Sequence, residues 1–336
     1  MWEVVDYNHD DLDKLVDLIK ENYGDIEIAN KEFLIWQYEL NPDGKAIIKL
    51  AVDNINNAVV GHCAVIPVSL KVGNEVIKGT LAINTLTKKE YRGQGIFTKL
   101  VLALHDKCRE MNLAFTYNFP NPNSYPGYIK KKKAITEKLE RFMSYLIAPV
   151  QYFFKLKSER LDTIMVYEIN NNNVSDMDLL WEKVKDNYKI MEVRNASFVK
   201  WRYLDIPLRK YKILCVKEDG EVQGYIVGIC KEVKGIKFGM IVDFITNVNN
   251  AKAGHLLIKH LLRHLSEQGA EFSGVLMQKH AKEYGLLKKS GFYKCPKFLE
   301  PQPIRVLYKP HMPEGDQKIT YDINNWFLTM GDFDVI

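Results

Sequence analysis

Asn30-Lys31-Glu32-Phe33-Leu34-Ile35-Trp36-Gln37-Tyr38 returns as Asn195-Ala196-Ser197-Phe198-Val199-Lys200-Trp201-Arg202-Tyr203, with the two tryptophans 165 positions apart. Further matches follow in the same order. Val60-Gly61-His62 corresponds to Gln223-Gly224-Tyr225, 163 apart, and Leu81, Ile83, Leu86 and Thr87 correspond to Met240, Val242, Ile245 and Thr246, 159 apart. Phe97, Leu100, Val101 and Leu104 have helical spacing and return as Ile258, Leu261, Leu262 and Leu265, so each copy has a helix with one apolar face. Tyr125 is matched by Tyr284, again 159 apart. Small changes in loop length account for the drift, and the chain reads as a tandem duplication.

Each copy predicts helices, a β-hairpin (Ile47–Asp53 with Val59–Val65; Tyr211–Lys217 with Val222–Cys230), and a long strand (Gly79–Thr87; Gly239–Thr246). A helix, a buried strand (Leu113–Phe119; Phe272–Met277) and a short helix complete it. Antiparallel strands early and a β-loop-α-β unit late give a mixed α/β (α+β) fold with a mostly antiparallel sheet flanked by helices, unlike the strict alternation of a doubly wound sheet. The expected boundaries are 1–148 for the first domain, 149–310 for the second and 311–336 for a C-terminal tail.

Composition narrows the function. The five cysteines form no C-x-x-C pair, the amino terminus lacks a basic-then-apolar segment, and no stretch approaches the ~20 apolar residues that span a bilayer. A cytoplasmic protein without a membrane anchor is expected. With 47 basic and 42 acidic residues the net charge of +5 is too balanced to call for nucleic acid. Lys130-Lys131-Lys132-Lys133 reads as a solvated helix end. His255, His260 and His264 read as a helix face rather than a metal site, and Trp36 and Trp201 as core anchors.

One loop carries chemistry. The strand ending at Thr87 runs through Lys88-Lys89-Glu90-Tyr91-Arg92-Gly93-Gln94-Gly95 into the helix opening at Ile96. Glycines there let successive backbone N–H groups turn toward one point, and the helix start adds about half a positive charge. A pyrophosphate suits such a site, with Arg92 free to add a charge-assisted hydrogen bond. No Gly-Lys-Ser/Thr closes the loop as a Walker A requires, and the three spaced glycines of a dinucleotide site near the terminus are missing.

The run Arg92-Gly93-Gln94-Gly95-Ile96-Phe97 resembles the Arg/Gln-x-x-Gly-x-Gly/Ala signature of the GNAT superfamily of N-acyltransferases, with Phe97 departing from the small last residue. The resemblance implies acetyl-CoA as cofactor. Its pantetheine arm would run along Leu86 and Thr87, and its pyrophosphate would lie on the amides of Arg92, Gly93, Gln94, Gly95 and Ile96. The second copy has Asn249-Asn250-Ala251-Lys252-Ala253-Gly254-His255 at the equivalent loop, so little cofactor binding is expected there.

Two such folds with one working copy resemble in part the enhanced-intracellular-survival type of acetyltransferase, whose third domain this chain is too short to hold. The expected reaction is transfer of an acetyl group to a primary amine of a small polar acceptor such as an amino sugar. Tyr125 is the candidate acid for the leaving thiolate, and Tyr284 in the second copy is expected to pack. Asn84 stands where some relatives carry a glutamate base. The subgroup resemblance offers the carboxylate of Ile336 in its place, beside a water relay. Two other readings stay open: an aminoacyl-tRNA-dependent peptidyltransferase of cell-wall synthesis, and a non-catalytic CoA-binding module. Oligomeric state is left open.

Overall fold

The computed structural model describes residues 1–129, 137–139, 143–150, 163–233, 235–300, 302, 304–311 and 318–333. Its elements run β1 (Trp2–Asp6), α1 (Leu12–Tyr23), α2 (Lys31–Glu39), β2 (Ile47–Asp53), β3 (Val59–Val72), β4 (Glu75–Thr87), α3 (Ile96–Glu110), β5 (Phe115–Asn118), α4 (Tyr125–Ile129), β6 (Glu137–Leu139) and β7 (Met143–Pro149). The second copy continues with β8 (Ile164–Glu168), α5 (Asp176–Val184), β9 (Ile190–Glu192), α6 (Ala196–Val199), β10 (Lys212–Glu218), β11 (Glu221–Val233), β12 (Ile236–Thr246) and α7 (Ala251–Glu267). It ends with β13 (Phe272–Gln278), α8 (Lys282–Lys289), β14 (Tyr293–Lys294), β15 (Val306–Pro310), α9 (Lys318–Tyr321) and β16 (Trp326–Phe327).

Two compact units result. One holds Met1–Arg141, Ile206–Leu208 and Ile304–Ile323; the other holds Phe142–Asp205, Arg209–Pro303 and Asn324–Ile336. In the first unit the strands stand in the order β1-β2-β3-β4-β5-β15-β6, and in the second β14-β7-β13-β12-β11-β10-β8. Read from opposite ends the orders match, with one parallel pair in each, β4 with β5 and β12 with β13. The duplicated sequence therefore folds into duplicated, mixed, mostly antiparallel sheets flanked by helices.

The copies exchange one strand. β7 follows the first copy in sequence but pairs with β13 of the second unit from Phe272↔Pro149 to Gln278↔Met143. β15 follows the second copy but pairs with β5 of the first, from Leu307↔Asn118 to Pro310↔Phe115. The units consequently part at Arg141 and Phe142 instead of at 148, and residues 304–323 belong to the first unit. Ladder hydrogen bonds decide which sheet a strand joins, and an apolar strand carries no mark of its partner in its own sequence.

Local rules explain why the copies look alike. Asn30 and Asn195, the first residues of the repeated segment, cap α2 and α6: their side chains accept from Phe33 N at 3.1 Å and Phe198 N at 2.9 Å. Trp36 and Trp201 lie in the cores. In the first unit α3 lays Ile96, Leu100, Val101, Leu104 and Cys108 against Cys63 and Val65 of β3. In the second, Leu257, Ile258, Leu261, Leu262 and Leu265 of α7 are buried in the same manner. All five cysteines are free thiols, and burial pushes those of Cys63 and Cys215 up to about 12. Among the described residues no helix is long and apolar enough to cross a membrane.

Candidate active site

The site lies in the first unit, where β4 leaves its neighbour. Parallel pairing between β4 and β5 is confined to Thr80↔Thr116 and Leu81↔Tyr117, although β4 runs on to Thr87. On its other side β4 stays on β3, with a register shift between His62 and Ala64 opposite Leu86 and Ile83. The extra residue is Asn84, whose φ of 44° makes this a β-bulge. A bulge bends a strand and increases its twist, which is how β4 and β5 come to diverge.

The divergence exposes backbone. Lys88 N donates to Val60 O at 2.8 Å, so by antiparallel alternation the N–H of Thr87 points away from β3 and into the opening. Arg92 Nε folds back to the carbonyl of Thr87 at 3.2 Å. The loop is tethered on both flanks, by Lys88 to Glu21 at 2.6 Å and by Tyr91 OH to Asp53 Oδ2 at 2.9 Å.

Gly93 and Gly95 have φ of 82° and 83°, in the region that a side chain makes costly, and each would place a Cβ in open space. Gly95 is the N-cap of α3; no side chain caps the helix and no acidic residue lies in its first turn. The first helical bond runs from Lys99 N to Gly95 O at 3.1 Å, and among the described residues no acceptor meets the amides of Gly93 through Thr98. A helix end left in that state needs water or an anion.

Phe97, the residue at odds with the signature, turns toward α4. Its ring meets Tyr128 edge-on at 5.0 Å and lies where a Cβ on Gly127 would collide with it. It therefore packs helix against helix and leaves the loop amides uncovered. Asn121 shapes the approach to α4 by accepting from Asn123 N at 3.0 Å and Ser124 N at 2.9 Å. Tyr125 opens α4, half-buried, with the guanidinium of Arg305 over its ring at 4.3 Å.

A second tyrosine, which the sequence did not single out, reaches deeper. Tyr128 OH lies 3.5 Å from Thr85 Oγ1, itself 3.3 Å from Cys63 Sγ, so a polar chain links α4, the bulged part of β4 and β3. Helical spacing from Tyr125 alone gave no sign of this. Tyr128 also lines a small cavity with Ala82, Cys63, His105 and Asn118, at the point where β4 and β5 part. Asn118 Oδ1 is buried there without a hydrogen-bond partner among the described residues. Burial pushes His105 down to about 3, so its imidazole is neutral near pH 7.

Asn84 holds no base: its amide donates to Gln37 Oε1 at 2.6 Å and to Tyr38 OH at 3.0 Å. Leu86 and Thr87 thus end β4 beyond its last pair with β5, Arg92, Gly93, Gln94, Gly95 and Ile96 follow as the loop and the start of α3, and Tyr125 stands on the short helix that Phe97 holds against α3. Ile336 and Lys130-Lys131-Lys132-Lys133 lie outside the described residues.

Residues 3–132 match the model of the acetyltransferase (GNAT) domain. That stretch contains the opening, the loop and α3, and the domain is of the type found in acyl-CoA-dependent N-acyltransferases. The fold of the longer chain is similar to that of a GCN5-related N-acetyltransferase from Anabaena variabilis, at TM-score 0.67 and 10% identity over 93% of this chain and 73% of that one. It is similar to a probable N-acyltransferase from Enterococcus faecalis, at TM-score 0.63 and 11% identity over 93% and 72%. It is also similar to the N-myristoyltransferase of Saccharomyces cerevisiae with bound myristoyl-CoA, at 0.60 and 12% over 92% and 78%. No curated protein matches in sequence. The GNAT domain covers the first copy, and the solved structures extend the likeness of fold across both.

Proposed function

We propose that the chain is an N-acyltransferase that takes an acetyl group from acetyl-CoA to a primary amine of a small polar acceptor such as an amino sugar. The observation that carries this reading is the row of amides from Gly93 to Thr98 without acceptors, at the start of a helix inside a GNAT domain. A diphosphate supplies the missing acceptors and the negative charge that the helix dipole favours. The outward N–H of Thr87 and the unpaired edge of β4 then continue the track, and a pantetheine arm extended along Leu86 and Thr87 meets backbone groups as another strand would.

The reaction needs a neutral amine, and an alkylammonium of pKa ~10.4 is deprotonated only about once in 2,500 molecules at pH 7. Asn84 cannot take that proton, which leaves ordered water or the carboxylate of Ile336. The thiolate leaving the thioester takes a proton from Tyr125, whose ring is held by Arg305. In this reading a backbone N–H of the bulged strand near Leu86 polarises the thioester carbonyl.

The test is Gly95→Asp. A Cβ at Gly95 meets nothing within 4 Å, and aspartate tolerates left-handed backbone better than most residues, so the variant folds. Its carboxylate sits where the phosphates would, and acetyl-CoA affinity measured by calorimetry should fall at least about 100-fold, roughly 2.7 kcal/mol. Unchanged affinity refutes the site. Thiol release from acetyl-CoA with a panel of amines tests the reaction separately, and tight binding without any turnover would leave a CoA-binding module.

A further inference from the structure

The opening between β4 and β5 has a counterpart in the second unit, and the chain itself fills it. Pairing between β12 and β13 runs from Phe238↔Phe272 to Ile241↔Val275 and stops, while β12 continues to Thr246 and β13 to Gln278. Asp243 lies just past the last pair on β12, and Gln278 at the end of β13.

Both hold the C-terminal segment. Gln278 Nε2 donates to Trp326 O at 2.7 Å while its Oε1 accepts from Leu328 N at 2.8 Å, the two-sided grip by which an amide side chain mimics a strand neighbour. His280 Nε2 stands 3.0 Å from the same Trp326 oxygen. On the other side Asp243 Oδ1 accepts from Thr329 Oγ1 at 3.0 Å. Arg194 binds Asp243 at 3.0 Å, Asp332 at 2.7 Å and Glu192 at 2.9 Å. Arg202 donates to the carbonyls of Gly331 at 3.0 Å and Phe333 at 2.6 Å. Gly331 admits no side chain, because a Cβ there would run into the hydroxyl of Tyr203.

The other groups that stand open in the first unit are also taken. Asn250 caps α7 by accepting from Ala253 N at 3.0 Å, and the Thr246 amide, counterpart of Thr87, donates to Glu283 Oε1 at 3.2 Å. Tyr188 donates to the other oxygen of Glu283 and stacks on Phe327 at 4.3 Å.

We propose that the second unit is a peptide-binding domain whose ligand is Trp326–Phe333 of the same chain, held in cis across the opening between β12 and β13. The ligand's chemistry is written in the contacts: Trp326, Phe327 and Leu328 buried side by side, a threonine hydroxyl for Asp243, a glycine under Tyr203 and an aspartate for Arg194. The second copy thus keeps the acyltransferase framework and uses its split sheet as a peptide clamp. This does not depend on the ligand of the first unit.

A sequence-specific protease site inserted between Ile323 and Asn324 of the full chain tests the proposal. After cutting under native conditions, the fragment beginning at Asn324 should co-elute with the body at about 1 µM and exchange only with excess synthetic peptide of residues 324–336. A peptide carrying Thr329→Val and Asp332→Asn should compete at least about tenfold more weakly. Free elution of the fragment, or equal competition by the altered peptide, overturns the proposal. Should the cut chain unfold, the uncut Gln278→Leu variant decides. Hydrogen exchange of residues 326–333 should then rise about tenfold with exchange in α3 unchanged, and protection as in the parent overturns it.

Discussion

Glu283 gives the second unit a pH dependence that can be worked out from its surroundings. The residue is fully buried, and burial pushes its carboxyl up from the ordinary 4.5 to about 7, partly offset by hydrogen bonds from Tyr188 and the Thr246 amide. An acid with a raised pKa binds more protons folded than unfolded between those two values. Its contribution to stability is therefore complete below about 4.5 and is lost as pH rises through 7. A shift of that size corresponds to roughly 3 kcal/mol, or about 6–12 °C in the melting temperature of a unit this large. Glu283→Gln keeps an oxygen to accept from the Thr246 amide, turns the contact with Tyr188 round so that its NH2 donates to the phenol oxygen, and cannot ionise. Calorimetry of the two proteins from pH 5 to pH 8 should show the variant gaining on the parent by most of that amount, with little difference at pH 5. Glu192, whose carboxyl burial also raises, is present in both proteins and cancels in the comparison. A difference that stays flat with pH would refute the argument.

Three other outcomes follow from the first unit. His62 is fully buried, both ring nitrogens lack partners among the described residues, and burial pushes it down to about 3. The unfolded chain gains a proton as pH drops below about 6.5 while the folded one does not, so stability falls toward acid; His62→Leu should flatten that fall in circular dichroism melts between pH 6.5 and pH 4, and an unchanged slope counts against it. Tyr125→Phe should lower kcat at least about tenfold with KM for acetyl-CoA nearly constant, and a fall confined to KM would remove Tyr125 from the chemistry. A fragment ending at residue 148 lacks β15, whose Val306, Leu307 and Tyr308 are at most 1% exposed, and should elute as aggregate or unfolded chain; a monomeric fragment with a cooperative melt would show that β15 is dispensable.

Much of this was legible in the sequence, and the reasons are local. Asn30 and Asn195 begin matching segments because each caps a helix, and Leu100, Val101 and Leu104 announce α3 because its buried face repeats every three to four residues. Glycines at 93 and 95 are readable because positive φ leaves few alternatives. The strand exchange was not readable, since β7 and β15 are both short apolar strands and partner choice is settled by pairing far along the chain. Tyr128 escaped for a related reason. Its importance depends on a hydroxyl meeting Thr85 across two elements, which no spacing within α4 encodes.

The two copies also show what becomes of a helix start once its glycine loop is gone. Backbone N–H groups at a helix terminus and at the free edge of a split strand must find acceptors, and each buried one left without costs about 1–3 kcal/mol. In the first unit Gly93 and Gly95 keep those groups at the surface, where water or a ligand can serve them. In the second unit, where Asn249–Gly254 replaces the loop, Asn250 takes the helix amide, Glu283 takes the strand amide and the tail bridges the split. Asn250 and Glu283 would each compete with an incoming diphosphate, one by occupying its donors and the other by placing a carboxyl beside them. Restoring glycines at 250 and 252 would free the helix amide from Asn250 but leave Glu283 on the strand amide and the tail across the split, so the second unit would still lack affinity for acetyl-CoA.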